Sequence, residues 1–223
     1  MSSSLSRTPE GRSLIKANEP LSRNYPHNAL AGLAWHPDGD LFFGLGENFA
    51  KPWTLTGRDQ AEIKGIGEGG IFRCRPDGSQ LRRVARGFWN PFAICVRGDG
   101  EIFAADNDPG ERPPCRLLHI MEGGDYGWCG PKGSHWRMEQ PGIVPILMRT
   151  GAGAPAGLCI YEGGLLPRYR GAPIHADAVG RVYAFRLTPD GAAWRVAGVE
   201  GPQTIESLSR IRQPDVLLSS TDP

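Results

Sequence analysis

No run in this 223-residue chain is long and apolar enough to span a bilayer, and Met1 to Asn18 has no apolar core of the kind a secretory leader needs. The amino terminus carries no visible export signal, and localisation is left open. A surplus of charge is absent too: 25 Lys and Arg stand against 24 Asp and Glu, for +1 overall. That balance points to neither nucleic acid nor a membrane as partner. Five cysteines (Cys74, Cys95, Cys115, Cys129, Cys159) include no CxxC and no CxxCH. Neither a zinc ribbon nor attached c-type haem is supported by that pattern. Buried, reduced thiols are the expected state, with a Cys115–Cys129 disulfide left open. Helical patterning is scarce; only Ile205 to Leu208 hints at a helical turn.

What the chain has instead is punctuation, 31 Gly and 20 Pro, with length enough for a real core. The turn Pro-Asp-Gly occurs at 37–39, 76–78 and 189–191, with Gly-Asp-Gly at 98–100. Each lies between short apolar runs, such as Gly32 to Trp35 and Leu41 to Leu45. Pro presets one turn dihedral and Gly accepts a positive φ, so each reads as a hairpin.

The stretch Gly87 to Trp128 organises the rest. A Gly- and Pro-bounded corner, Gly87 to Pro91, precedes two runs, Phe92 to Val96 and Glu101 to Ala105. The polar loop Asp106-Asn107-Asp108-Pro109-Gly110 follows, then a third run, Arg116 to Met121. This is an antiparallel meander whose acidic loop leaves a strand end, where sheets present ligand groups. Elsewhere, Met1 to Pro26 is expected to hold one strand after a loose start. Lys51 to Gly70 reads as a long connection, and Ile143 to Met148 as a strand.

A hairpin recurring with fixed turn chemistry marks a repeat architecture. Unit starts at Leu33, Pro91, Leu158 and Val216 give about four β-propeller blades in an all-β chain. The competing reading is a β-sandwich with Asp-Gly turns. The expected division is a loose segment over 1–24 and a partial propeller over 25–223.

An ordered series of pieces over roughly residues 25 to 218 resembles the quinoprotein glucose/sorbosone dehydrogenase family. The pieces are His27 followed by GLAWHPDGDLFFGLGE, then GGIFRCRPDG, GFWNPFAI, the DNDP loop, EGGDYGW, GLCIYEGGLLPRYRG and RVYAFRL. The family includes soluble aldose sugar dehydrogenases and propeller-type membrane-bound dehydrogenase domains. Its members are six-bladed propellers, so about four blades here would be an incomplete one. The dehydrogenases carry pyrroloquinoline quinone (PQQ) and Ca²⁺.

The resemblance implies a sugar substrate, with His27 as general base on the C1 hydroxyl and Glu47 orienting it. Hydride would leave C1 for the quinone while His27 takes the proton. It implies PQQ contacts from Trp89, Asn90, Asn107 and Arg212, and Ca²⁺ ligation by Asn107, Asp108 and Pro109, whose oxygens are hard donors. The chain departs from the pattern at several points. Trp89 stands where the family keeps Arg, Cys115-Arg116 where it keeps Asp-Glu, and Ala178 near its Lys. Only Arg212 remains of its Arg-x-Arg. Losing cations there weakens the hold on an anionic cofactor.

Two rivals follow. One is a non-catalytic propeller binding carbohydrate or protein, with Trp35, Trp89, Trp128 and Trp136 as candidate stacking faces. The other is a calcium-dependent lactonase-like propeller using Glu47, Asn90, Asn107 and Asp108. An open propeller would also leave edges that favour self-association.

Overall fold

In the computed structural model, residues 3–7, 13–18, 28–48, 51–107, 115–128, 140–151 and 153–204 are described. They form sixteen strands: β1 (Ser3–Arg7), β2 (Ser13–Asn18), β3 (Leu30–Trp35), β4 (Leu41–Leu45), β5 (Pro52–Thr56), β6 (Glu62–Ile66), β7 (Gly69–Cys74), β8 (Arg82–Phe88), β9 (Asn90–Val96), β10 (Ile102–Asn107), β11 (Cys115–Ile120), β12 (Met148–Gly151), β13 (Pro155–Tyr161), β14 (Ala172–Asp177), β15 (Arg181–Asp190) and β16 (Ala193–Thr204). Among the described residues the helical content is one 3₁₀ turn, Pro167–Tyr169.

The strands make four four-stranded antiparallel sheets, the blades of an incomplete β-propeller. Blade one is β1-β2-β5-β6, blade two β3-β4-β7-β8, blade three β9 to β12 and blade four β13 to β16. The first strands β1, β3, β9 and β13 lie side by side in that order.

Blades pack face to face through strand alternation. In β4, Leu41, Phe43 and Leu45 meet Leu14, Ile15, Trp53 and Leu55 of blade one. Phe42, pointing the other way, joins Ile94, Ala104 and Leu118 of blade three. β4 is thus buried on both faces, which explains its unbroken apolar run. Each fully buried Phe or Leu there contributes about 1.5–3 kcal/mol.

The repeated turn has one geometry. His36, Arg75 and Arg97 each accept a hydrogen bond from the Gly three residues on, and each N–H donates to the carbonyl four residues on. Gly39, Gly78 and Gly100 take φ of 91°, 84° and 92°. Asp38, Asp77 and Asp99 each accept from the backbone N–H two residues later. This is a type I turn closed by a left-handed residue, suited to strand twist.

Several expectations are corrected. Lys51 to Gly70 is no simple connection: it contains the hairpin β5–β6, whose turn repeats the same geometry with Gln60 at φ 65° in place of Gly. Gly57 N donates to Ala61 O, and Asp59 accepts from Ala61 N. The expected loose segment over 1–24 contains two strands, β1 and β2, and they pair with this hairpin to complete blade one. The blade beyond those that begin near Leu33, Pro91 and Leu158 is therefore blade one, at the amino end, whereas Val216, expected to start a unit, lies outside the described residues. Strand β12 begins only at Met148, so most of Ile143 to Met148 is not strand. Cys74, Cys95 and Cys115 are buried as expected, but Cys159 is exposed and Cys129 lies outside the described residues. Burial pushes the Cys74 thiol up to about 11.

Candidate functional site

Three blades end together in buried polar side chains. Glu47 and Asn48 follow β4, Asn90 opens β9, Asn107 closes β10 and Asp177 closes β14. Because β4, β10 and β14 are second strands of successive blades, their ends fall on one face of the propeller, with the start of β9. Glu47, Asn48, Asn90 and Asp177 are all buried. The backbone knits the group: Glu47 N donates to Trp89 O at 2.6 Å, and Asn28 Nδ2 donates to Glu47 O at 3.2 Å. Asn107 stands opposite Asn90 across the β9–β10 ladder, and its Oδ1 accepts from the Cys115 thiol at 3.3 Å.

A buried ion pair braces this end. Asp106 Oδ1 accepts from Asn90 N at 2.8 Å, and Oδ2 from Arg116 Nη2 at 2.5 Å. Arg116 Nη1 donates to Tyr126 O at 2.6 Å. Burial pushes the Asp106 carboxyl up and the Arg116 guanidinium down, each opposed by the partner's charge. Asp106, read from the sequence as the start of the polar loop, lies within β10. It is a strand residue committed to the corner at Trp89-Asn90.

The amides nearby are under-used. Among the described residues, Asn28 Oδ1, both side-chain polar atoms of Asn48 and Asn90, and Asp177 Oδ2 are buried with no hydrogen-bond partner. Each such group costs about 1–3 kcal/mol, and a native protein keeps few without a use for them. Asp177 Oδ1, by contrast, accepts from Val179 N and Arg181 N. His175, two residues earlier on the same face of β14, is fully buried and packs on Tyr183 at 6.1 Å. Burial lowers its pKa, with Asp177 opposing, so the ring is held neutral.

Of the residues singled out from sequence, Glu47, Asn90 and Asn107 come together at this end. Trp89 is buried edge-on against Trp128, ring centroids 4.9 Å apart, and presents no open face for sugar stacking. Trp35 is exposed. His27, Asp108, Pro109, Trp136 and Arg212 lie outside the described residues. Sequence reasoning missed Asn28, Asn48, Arg116, His175 and Asp177. Their one signal was a polar residue at or just past the ends of apolar runs.

The donor set suits some ligands better than others. Amide and carboxylate oxygens are hard donors of the kind Ca²⁺ takes, although no group of three His, Cys, Asp or Glu gathers among the described residues. The anionic carboxylates of PQQ are less well served there. Arg116 is spent on Asp106, Arg86 on Asp125 at 2.9 Å, and position 178 is an alanine whose N–H donates to Ala154 O. The described residues thus offer hard oxygen donors but gather no metal site, and they do not fit the quinone's charge.

No known family profile matches the chain, and no curated protein does either. Solved structures do match. A Thermus thermophilus oxidoreductase described as a glucose dehydrogenase aligns with TM-score 0.56 and 23% identity, over 84% of this chain and 55% of that one. The PQQ-bound aldose sugar dehydrogenase of Streptomyces coelicolor aligns with TM-score 0.55 and 18% identity, over 83% and 52%. The apo-form soluble aldose sugar dehydrogenase of Escherichia coli aligns with TM-score 0.54 and 16% identity, over 87% and 66%. The chain thus spans between about half and two thirds of the length of these structures. At such identities the likeness is one of fold, and the fold is the β-propeller of the sugar dehydrogenases.

Proposed function

We propose that this chain supplies the substrate end of a sugar-oxidising propeller, with the ring of polar groups around Glu47 and Asn90 as the site. The observation that carries the reading is the set of buried amides at Asn28, Asn48 and Asn90 with unused hydrogen-bonding capacity. Hydroxyl-rich ligands and hard cations are what such groups bind. In this reading His27 is the base on the sugar C1 hydroxyl, and Glu47 holds its ring. Asn107 and Asn90, with Asp108 and the Pro109 carbonyl, hold Ca²⁺. PQQ would be the electron acceptor, contacted by Asn90, Trp89, Asn107 and Arg212. Because the described residues do not fit its charge, its hold would be weak.

A second reading, a carbohydrate-binding propeller without turnover, is favoured by one feature. Trp89 is packed into the core on Trp128 where the family keeps a quinone-binding Arg. Self-association through open propeller edges goes with either reading.

The separating experiment mixes the full chain with PQQ and Ca²⁺ and follows dye reduction with aldoses, beside lactone hydrolysis with Ca²⁺ alone and calorimetric sugar binding. Aldose-dependent reduction supports the first reading. Sugar binding without reduction supports the second. Lactone hydrolysis alone would replace both.

A further inference from the structure

At the opposite end of the strands, the loop joining β13 to β14 holds itself in shape. Gly171 N donates to Tyr161 O at 2.7 Å and closes it, and Leu166 N donates to Tyr161 Oη at 2.9 Å. Tyr169 N and Arg170 N donate to Leu166 O and Pro167 O, forming the 3₁₀ turn. Ends drawn together and internal bonds make it an Ω-loop with a fixed outline. This ordered loop presents its apolar tip to solvent: Leu165 is 68% exposed and Leu166 40%.

Cations surround that tip. Arg168 and Arg170 belong to the loop itself, and Arg97 and Arg186 line the adjoining groove with Trp194. The Arg97 guanidinium lies 4.2 Å from the Trp194 ring centre. Among the described residues two carboxylates line the same groove, and both are used within the protein: Asp99 binds Arg97 at 2.6 Å, and Glu162 accepts from Gly98 N at 2.6 Å. The chain's near-zero net charge conceals this local excess of four arginines over two acids.

Adjacent exposed leucines, a rim of arginines and Tyr169 and Trp194 beside them make one pattern. Apolar tips enter the boundary between headgroups and acyl chains, guanidiniums meet lipid phosphates, and amphipathic rings sit at headgroup level. We propose that this end of blade four docks on an anionic phospholipid surface. Leu165 and Leu166 insert, and Arg168 and Arg170 contact phosphates. The Glu47–Asn90 end, lying at the other end of the blades, then faces away from the membrane and stays open to substrate.

The test is co-sedimentation of the full chain with vesicles of phosphatidylcholine alone and of phosphatidylcholine mixed with phosphatidylglycerol. Wild type binds the mixed vesicles, and added salt releases it. The pairs Leu165→Ser/Leu166→Ser and Arg168→Gln/Arg170→Gln each lower binding roughly tenfold or more. Both keep the wild-type unfolding midpoint, because the changed side chains are exposed. No uptake, equal uptake by both vesicle types, or uptake indifferent to both variants overturns the proposal. Calorimetric binding of inorganic phosphate without vesicle uptake overturns it in favour of a small-anion site.

Discussion

Asp106 and Arg116 meet side chain to side chain at 2.5 Å inside blade three, 0% and 1% exposed, and between them fix the Trp89-Asn90 corner and the Tyr126 carbonyl. The pair is the brace on which the polar end of the propeller rests. Removing one partner leaves a buried charge with no counterpart. Asp106→Asn or Arg116→Met is therefore expected to cost about 3–5 kcal/mol in urea unfolding. Replacing both, with Asp106→Leu and Arg116→Met, costs less than either single change. Additive losses in the double variant would show that the two charges do not depend on each other.

Two turn glycines separate conformational strain from blade packing. Gly39 and Gly78 share the left-handed conformation, so alanine at either carries about 1–2 kcal/mol of backbone cost. At Gly39 a Cβ meets nothing within 4 Å, whereas at Gly78 it falls 2.3 Å from the Leu14 carbonyl oxygen of blade one. Gly78→Ala must therefore part blades one and two, and its unfolding midpoint should fall clearly below that of Gly39→Ala. Equal midpoints would mean that blade one yields at no cost.

These contrasts show which parts of the fold were legible in the sequence. Turns written Pro-Asp-Gly gave the hairpins of blades two and four, since Gly states its φ openly. The same turn at Gly57 to Ala61 was hidden because Gln60 takes the left-handed position, held by Asp59 on the N–H groups of Ala61 and Gln80. With that hairpin went the pairing of β2 with β5, which links residues far apart in the chain. Arg116 was unreadable for another reason. A cation in a buried strand is explained only by the carboxylate opposite it, and register pairs it with Asp106. Glu47, Asn90 and Asn107 were named through the family resemblance, and the structure places them at strand ends. Asn48 and Asp177 sit at similar ends, but only packing shows that they are buried.

The turn aspartates also set an acid limit. Gln80 and Ala61 N–H groups lower the Asp59 pKa, the Ser79 hydroxyl and N–H that of Asp77, and the Arg97 guanidinium that of Asp99. Folded values below the unfolded ones mean a contribution that is complete above roughly pH 4 and lost as pH falls through the folded values. Urea midpoints should therefore drop below roughly pH 4, and less steeply when Asp59, Asp77 and Asp99 are all Asn. Parallel acid profiles for the variant and wild type would refute the assignment.

Asn90 tests whether function costs stability here. Its side-chain amide is buried without a partner among the described residues, so Asn90→Leu removes a penalty of about 1–3 kcal/mol and adds apolar contact. The apo-protein should unfold at an equal or higher urea concentration, while calorimetric Ca²⁺ or sugar binding is lost. A destabilised variant that still binds would assign Asn90 a structural role only.

The central claim, sugar oxidation at the Glu47–Asn90 end, is tested most directly by aldose turnover of the full chain with PQQ and Ca²⁺, run beside His27→Ala. The account predicts aldose-dependent dye reduction whose kcat falls roughly 10²–10⁴-fold in His27→Ala while KM moves far less, since the proton is transferred in the transition state. Turnover that persists undiminished in His27→Ala, or a wild-type protein that shows no aldose-dependent reduction whether or not it binds the sugar, would contradict it.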